Sequence, residues 1–235
     1  MDFKDNILQL AERIKKQKDA IQTEEATKNA FIMPIITALG YDVFNPFEVV
    51  PEMDCDLTRK GDKIDYAIKK DGRTIILIEC KHCKQNLDLH NTQLSKYYAA
   101  SNARFGVLTN GIEYRFYADL DKTNIMDEKP FLVVNMLDLS DADIEEMKKF
   151  HKSCYNESEI FSTAKELQMM IQIKEILAKN FQSPGDEFTR YFVRSLNNGK
   201  STPKLIEEYR PIVRKSILSV IGGMISGRPD TCLLY

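Results

Sequence analysis

Two short stretches concentrate residue types able to do chemistry: Gly61-Asp62-Lys63-Ile64-Asp65-Tyr66-Ala67, and Ile78-Glu79-Cys80-Lys81. Side chains alternate across a strand, so Glu79 and Lys81, two apart, share one face of an extended segment. Asp65 lies in the preceding strand-like stretch. The two are joined by Lys69-Lys70-Asp71-Gly72, whose Asp-Gly step signals a tight hairpin. Such a hairpin can lay Asp65 beside Glu79. Both acids adjoin apolar runs, where an uncompensated charge is costly. A divalent cation would compensate the pair, and hard cations such as Mg²⁺ prefer oxygen ligands while keeping several waters. A cation there would acidify a bound water and offset charge on a phosphate under attack. Lys81 would then orient the attacking water or neutralise transition-state charge. The plainer alternative is an ion pair decorating a hairpin end.

The elements that must position these residues are legible in the periodicity. Residues 2–18 read as a helix, with Ile7, Leu10, Ala11 and Ile14 at helical spacing. A second helix is expected over 23–39, with Thr23 as N-cap and Glu24 and Glu25 at the positive end of the dipole. Pro34 predicts a kink or early stop, and Gly40 the end. Strands are expected at 47–50, 63–68, 73–80, 104–109, 112–117 and 131–136, with a helix over 89–101. The run Ile75-Ile76-Leu77-Ile78 is apolar on both faces, which marks a central strand covered on both sides. Beyond residue 139 the pattern is helical, over 141–155, 158–181, 184–196 and 203–225. The expected organisation is a mixed α/β domain over 1–150 followed by a helical domain over 151–235.

The chain has 235 residues, 33 basic and 35 acidic, for a net charge of −2. Residues 1–150 hold 21 basic and 26 acidic groups, against 12 and 9 in the remainder, so only the second part is net basic. Near-neutral charge argues against a protein that coats nucleic acid by charge alone, while leaving room for local contact. Five cysteines (Cys55, Cys80, Cys83, Cys154 and Cys232) make an odd number in a chain long enough to build a core. The reading is a reduced, cytoplasmic protein. No apolar run approaches a membrane span, and the polar, acidic start is no secretory signal.

The motifs resemble a known family. Ile64-Asp65-Tyr66-Ala67 with Ile78-Glu79-Cys80-Lys81 looks like the D-x(n)-E-x-K signature of the PD-(D/E)XK nuclease superfamily, with Ile64 where the superfamily's name has proline. The likeness is to the N-terminal nuclease domain of type I restriction enzyme R subunits and its stand-alone relatives. Glu24-Glu25-Ala26-Thr27-Lys28, Pro34 and Leu39-Gly40-Tyr41-Asp42 resemble the opening helix. Gln93-x-x-x-Tyr97 resembles the glutamine-tyrosine motif. Leu108-Thr109-Asn110-Gly111 with Tyr114, Phe116 and Tyr117 resembles the closing strand pair.

The resemblance implies a restriction-endonuclease-like αβββαβ core, a central mixed sheet flanked by helices, with a C-terminal helical domain added. It implies Asp65 and Glu79 as metal ligands for Mg²⁺, with Mn²⁺ substituting, and Lys81 as catalytic lysine. Gln93 would contact nucleic acid or position the site, with Tyr97 supporting it. A glutamate of the opening helix would complete the acidic site; Glu25 is preferred to Glu24 by its position before Thr27. The implied function is a metal-dependent endonuclease hydrolysing phosphodiester bonds of DNA, in restriction or phage/prophage-related defence. It would work as a homo-oligomer or a restriction-complex subunit. RNA is an alternative substrate. The rival from another class is a catalytically idle nucleic-acid-binding or regulatory module of a restriction-type complex.

Competing signals are weaker. Cys80-Lys81-His82-Cys83 with Cys55 and His90 could be read as zinc ligands, but the first pair leaves a strand rather than a turn and no second C-x-x-C follows. Asn198-Gly199-Lys200-Ser201-Thr202 imitates a phosphate-binding loop, but Arg194 stands where its first glycine belongs. Phe188, Tyr191, Phe192 and Leu196 repeat at three and four, a core stripe in preference to a base-stacking platform. Arg190, Arg194, Lys204, Arg210, Arg214 and Lys215 form either a solvated helix side or a nucleic-acid face.

Overall fold

The computed structural model describes residues 2–54, 63–89 and 91–226. Gly61, Asp62, Cys55, His90 and Cys232 lie outside them. Two compact units divide at 168/169, inside one long helix.

The first unit opens with α1 (Phe3–Gln17), capped by Asp2 and burying Ile7 and Ile14. Next comes an interrupted helix: α2 (Glu24–Thr27), a π-turn (Lys28–Ile32) and α3 (Met33–Ala38). Thr23 caps α2 as expected, its Oγ1 accepting from the Ala26 N–H at 3.0 Å. Pro34 does not stop the helix: it stands in the first turn of α3, directly after the π-turn. Proline offers no N–H to the carbonyl four residues back, here Ala30. The backbone widens into the π-turn, and the Arg13 guanidinium of α1 donates to the Ala30 carbonyl. Arg13→Ala would leave that carbonyl without its partner, so urea unfolding should show a loss of about 1–2 kcal/mol. Gly40, at φ +83°, ends the helix in the left-handed region.

Six strands form one sheet in sequential order: β1 (Val49–Asp54), β2 (Lys63–Lys70), β3 (Arg73–Cys80), β4 (Phe105–Thr109), β5 (Glu113–Tyr117) and β6 (Leu132–Asn135). Neighbours are antiparallel except β3 and β4, which run parallel. The parallel pair needs a crossover, supplied by α4 (Asn91–Ala100). Asp71 (φ 52°) and Gly72 (φ 76°) make the tight turn between β2 and β3 that the Asp-Gly step predicts.

Both sheet faces are covered, which is why β3 is apolar on both sides. On one face, Ile76, Ile78, Phe105, Val107 and Phe116 meet Ile7 of α1, Ile32 and Ile35 of the opening helix, and Ile144 of α5 (Asp141–Lys148). Ile160 and Ala164 of α6 (Glu157–Gln182) join this core. On the other face, Ala67, Leu77 and Leu108 pack with Leu94, Tyr97 and Tyr98 of α4. The architecture is mixed α/β and consistent with a restriction-endonuclease-like fold.

The second unit contains α7 (Asp186–Leu196) and α8 (Pro203–Ser226). The expected core stripe of α7 is not its buried face. Thr189 and Val193 are the buried residues, whereas Tyr191 and Leu196 are exposed. The buried face of a helix is chosen by what packs on it, and Tyr191 falls outside it. Among the described residues, no helix is long and apolar enough to cross a membrane.

Candidate active site

A β-bulge decides whether the two acids meet. Next to the turn, Lys70 faces Arg73 and Lys69 faces Thr74; then the register shifts, so that Ile68 faces Ile76 and Tyr66 faces Ile78. Ile75 is the extra residue. The pairing ends at Tyr66–Ile78, one step short of Asp65 and Glu79, and beyond it the Asp65 carboxylate reaches the Cys80 N–H next to Glu79. Without the bulge the two carboxylates would point to opposite sides.

The resulting geometry is compact. The Cys80 N–H donates to Asp65 Oδ2 at 2.7 Å, tying the aspartate across the strand pair. Lys81 Nζ donates to Glu79 Oε1 at 2.5 Å, as their two-residue spacing allows. Lys81's own N–H donates to the Thr109 carbonyl at 2.8 Å, so the parallel neighbour holds this end of β3. Glu79 is 1% exposed, while the side chains of Asp65 and Lys81 are 15% and 14% exposed. Among the described residues, Glu79 Oε2 has no hydrogen-bond partner. Burial pushes the Glu79 carboxyl up to about 7; Lys81 opposes the rise and the charge of Asp65 adds to it. A buried carboxylate with one oxygen unused is an arrangement that stability alone does not favour.

The opening helix contributes two more charges. Lys28 forms an ion pair with Asp65 Oδ1 and lies 3.5 Å from Glu24 Oε1. Burial draws the Lys28 ammonium down, but the hydrogen bond and charge of Asp65 outweigh it and the group stands raised. Glu24 is therefore the opening-helix acid that reaches the cluster. Glu25, the residue expected there, is exposed and accepts from Asn29 Nδ2 at 3.2 Å. Consecutive helical residues diverge by about 100°, so only one of the pair can face the sheet.

Thr27 locks this helix to the loop after β3. Its Oγ1 accepts from the Cys83 N–H at 3.1 Å and donates to the Thr23 carbonyl at 3.2 Å. Asn110 fastens the same loop by donating to the Gln85 carbonyl at 2.9 Å. Thr27 and Lys28 stand inside the opening-helix motif, yet the resemblance assigns neither a role. The i,i+4 spacing of Glu24 and Lys28 is the signal that could have found the latter.

Gln93 extends from α4 to the start of β2, its Nε2 donating to the Lys63 carbonyl at 3.2 Å, two residues before Asp65. Tyr97, one turn on, is buried with Ile64 and Leu94 beneath that strand end. Cys80 is buried in the core, and Cys83 Sγ donates to the Lys18 carbonyl at 3.7 Å. Among the described residues, no group of three or more His, Cys, Asp or Glu could hold a metal ion. A zinc site is thus unsupported there, and Cys55 and His90 lie outside those residues. The two-carboxylate arrangement is still one that Mg²⁺ uses, because it keeps its waters and takes only one or two protein carboxylates.

The segment from before β1 to the loop after β5 holds Asp65, Glu79, Lys81, Gln93 and Tyr97. Residues 45–125 match the family described as type I restriction enzyme R protein N terminus. The restriction-enzyme match begins after the opening helix, so Glu24, Glu25 and Lys28 rest on the geometry alone. No curated protein and no solved structure matches the chain.

Proposed function

We propose that this protein is a metal-dependent nuclease that hydrolyses phosphodiester bonds of DNA as part of a restriction-type system. The observation that carries the reading is the convergence of Asp65 and Glu79 beside Lys81, inside the segment that matches the restriction-enzyme family. The donor set is all oxygen, and Glu79 Oε2 is a buried acceptor with no partner among the described residues, which suits Mg²⁺ or Mn²⁺. When bound, the cation supplies a more acidic water and a counter-charge for the phosphate. Asp65 and Glu79 would hold it, and Asp65 is itself oriented by the Cys80 N–H. Lys81, largely sheltered from water, would stabilise charge on the attacked phosphate. Glu24 replaces Glu25 as the acid from the opening helix. Gln93 would steady the strand end that carries Asp65. Substrate contact would fall to residues 151–235 in part. There Arg210 is already committed: it donates to the Pro184 carbonyl at 2.6 Å and pairs with Asp186 and Glu207. Arg190 pairs with Glu187. Arg214 and Lys215 are the better candidates. A reducing, cytoplasmic setting suits the free thiols Cys80, Cys83 and Cys154.

One observation favours the idle-module reading: Lys28 and Lys81 already neutralise Asp65 and Glu79 without a metal. Plasmid incubated with Mg²⁺ or Mn²⁺ separates the two. Wild type should nick or linearise it, and Asp65→Asn and Lys81→Ala should each lower the rate at least about a hundredfold. Equal cleavage by all three would place the activity elsewhere. No cleavage with intact DNA binding would favour the idle module. A matched RNA substrate tests the sugar, which the site chemistry does not read.

A further inference from the structure

We propose that Lys28 is the resident counter-ion of the acidic site and sets its metal affinity, its ammonium holding Asp65 until a divalent cation displaces it. This rests on the metal-dependent reading above and concerns how that site is regulated. Asp65 and Glu79 lie beside two ammonium groups, Lys28 and Lys81, and Glu24 Oε1 lies 3.5 Å from Lys28. Every oxygen of Asp65 is engaged: Oδ1 by Lys28 and Oδ2 by the Cys80 N–H. Glu79 has Oε1 on Lys81 and Oε2 without a partner among the described residues. An incoming cation therefore finds one unused oxygen on the Asp65–Glu79 pair and must contend with Lys28 for Asp65 Oδ1.

The backbone is built for this placement. Lys28 opens the π-turn, and its N–H reaches the carbonyls of both Glu24 and Glu25. A π-turn inserts one residue into a helix and rotates the residues beyond it. Lys28 can thus face the end of β2 while Phe31, Ile32, Ile35 and Ile36 keep to the core. Its side chain is only 15% exposed, like that of Asp65, so solvent screens the pair little. A surface lysine would lack both the second acid and the burial.

The charge count gives the consequence. With Lys28 in place and Glu24, Asp65 and Glu79 all ionised, these groups and Lys81 carry one net negative charge, which a divalent cation overcompensates. With Lys28 neutralised, the cluster carries two, which the cation balances. Calorimetry with Mn²⁺ on the full chain reads the difference. Lys28→Met keeps the length and removes the charge, and should bind Mn²⁺ tighter by at least about tenfold. Lys28→Arg keeps the charge and should stay within a few-fold of wild type. Metal-free Lys28→Met should melt lower than wild type, and saturating Mn²⁺ should recover most of the difference. Equal or weaker Mn²⁺ binding by Lys28→Met overturns the proposal and leaves the metal reading standing. Absence of Mn²⁺ binding in every form overturns both. A second measurement needs no variant: acylation of wild-type Lys28 by acetic anhydride, followed by peptide mass spectrometry. Displacement predicts a several-fold faster reaction in saturating Mn²⁺, and an unchanged rate overturns the proposal.

Discussion

Glu79→Gln is expected to abolish cleavage, by at least about a hundredfold, while the metal-free protein melts at the same temperature or higher. The two effects part because the carboxylate is placed for charge and not for stability. It is 1% exposed, with one oxygen unpartnered among the described residues and the like charge of Asp65 nearby. Glutamine has the same shape, and its Oε1 can still accept from Lys81. It carries no buried charge and does not repel Asp65. What glutamine lacks is the negative oxygen that a hard cation needs. A melt in chelator beside a plasmid assay in Mg²⁺ reads both. A melting temperature lowered by several degrees would instead make Glu79 the stabilising half of an ion pair. A gain in stability that comes with a loss of function is the signature of an active-site residue.

Phe105→Ala should be the most destabilising single truncation in the first unit, by about 3–5 kcal/mol. Phe105 is fully buried on β4, and its ring meets those of Phe131, Phe150, Tyr155 and Phe161 at centroid distances of 6.4, 5.5, 6.2 and 6.2 Å. Those partners come from the loop before β6, the segment between α5 and α6, and α6 itself. The ring thus joins the sheet to both later helices, and no single neighbour can move in to fill the void. For a unit of this size the melting temperature should fall by about 6–20 °C, read by calorimetry. A fall of only one or two degrees would mean that the cluster closes over the cavity. Phe105 occupies the start of β4, whereas Thr109 at its end holds the Lys81 backbone. Folded Phe105→Ala should therefore retain its Mn²⁺ affinity.

Much of the fold was legible because short-range rules set it. The Asp71-Gly72 turn needs two positive φ values, and those residue types accept them. The apolar run of β3 reads as doubly covered because the strand has a helical layer on each face. The Thr23 cap and the α4 crossover follow from side-chain hydrogen bonding and from the parallel pair. Asp65, Glu79 and Lys81 could be named from residue type and order alone.

The sequence by itself determined which residues are able to form the site; the tertiary structure decided that they meet. A two-residue turn with regular pairing would set Asp65 opposite Ile78 and send its carboxylate to the face away from Glu79. The bulge at Ile75 reverses this, and no local pattern in an all-apolar stretch announces which residue will be left unpaired. The choice of Glu24 over Glu25 was equally hidden, because both suit a helix start and only the packing of α2 against the sheet separates them. Lys28 reaches Asp65 at the start of a π-turn that is followed by Pro34 and held at the Ala30 carbonyl by Arg13 of α1. Residue type is local information, but the facing of a side chain depends on register and helix phase, which long-range packing fixes.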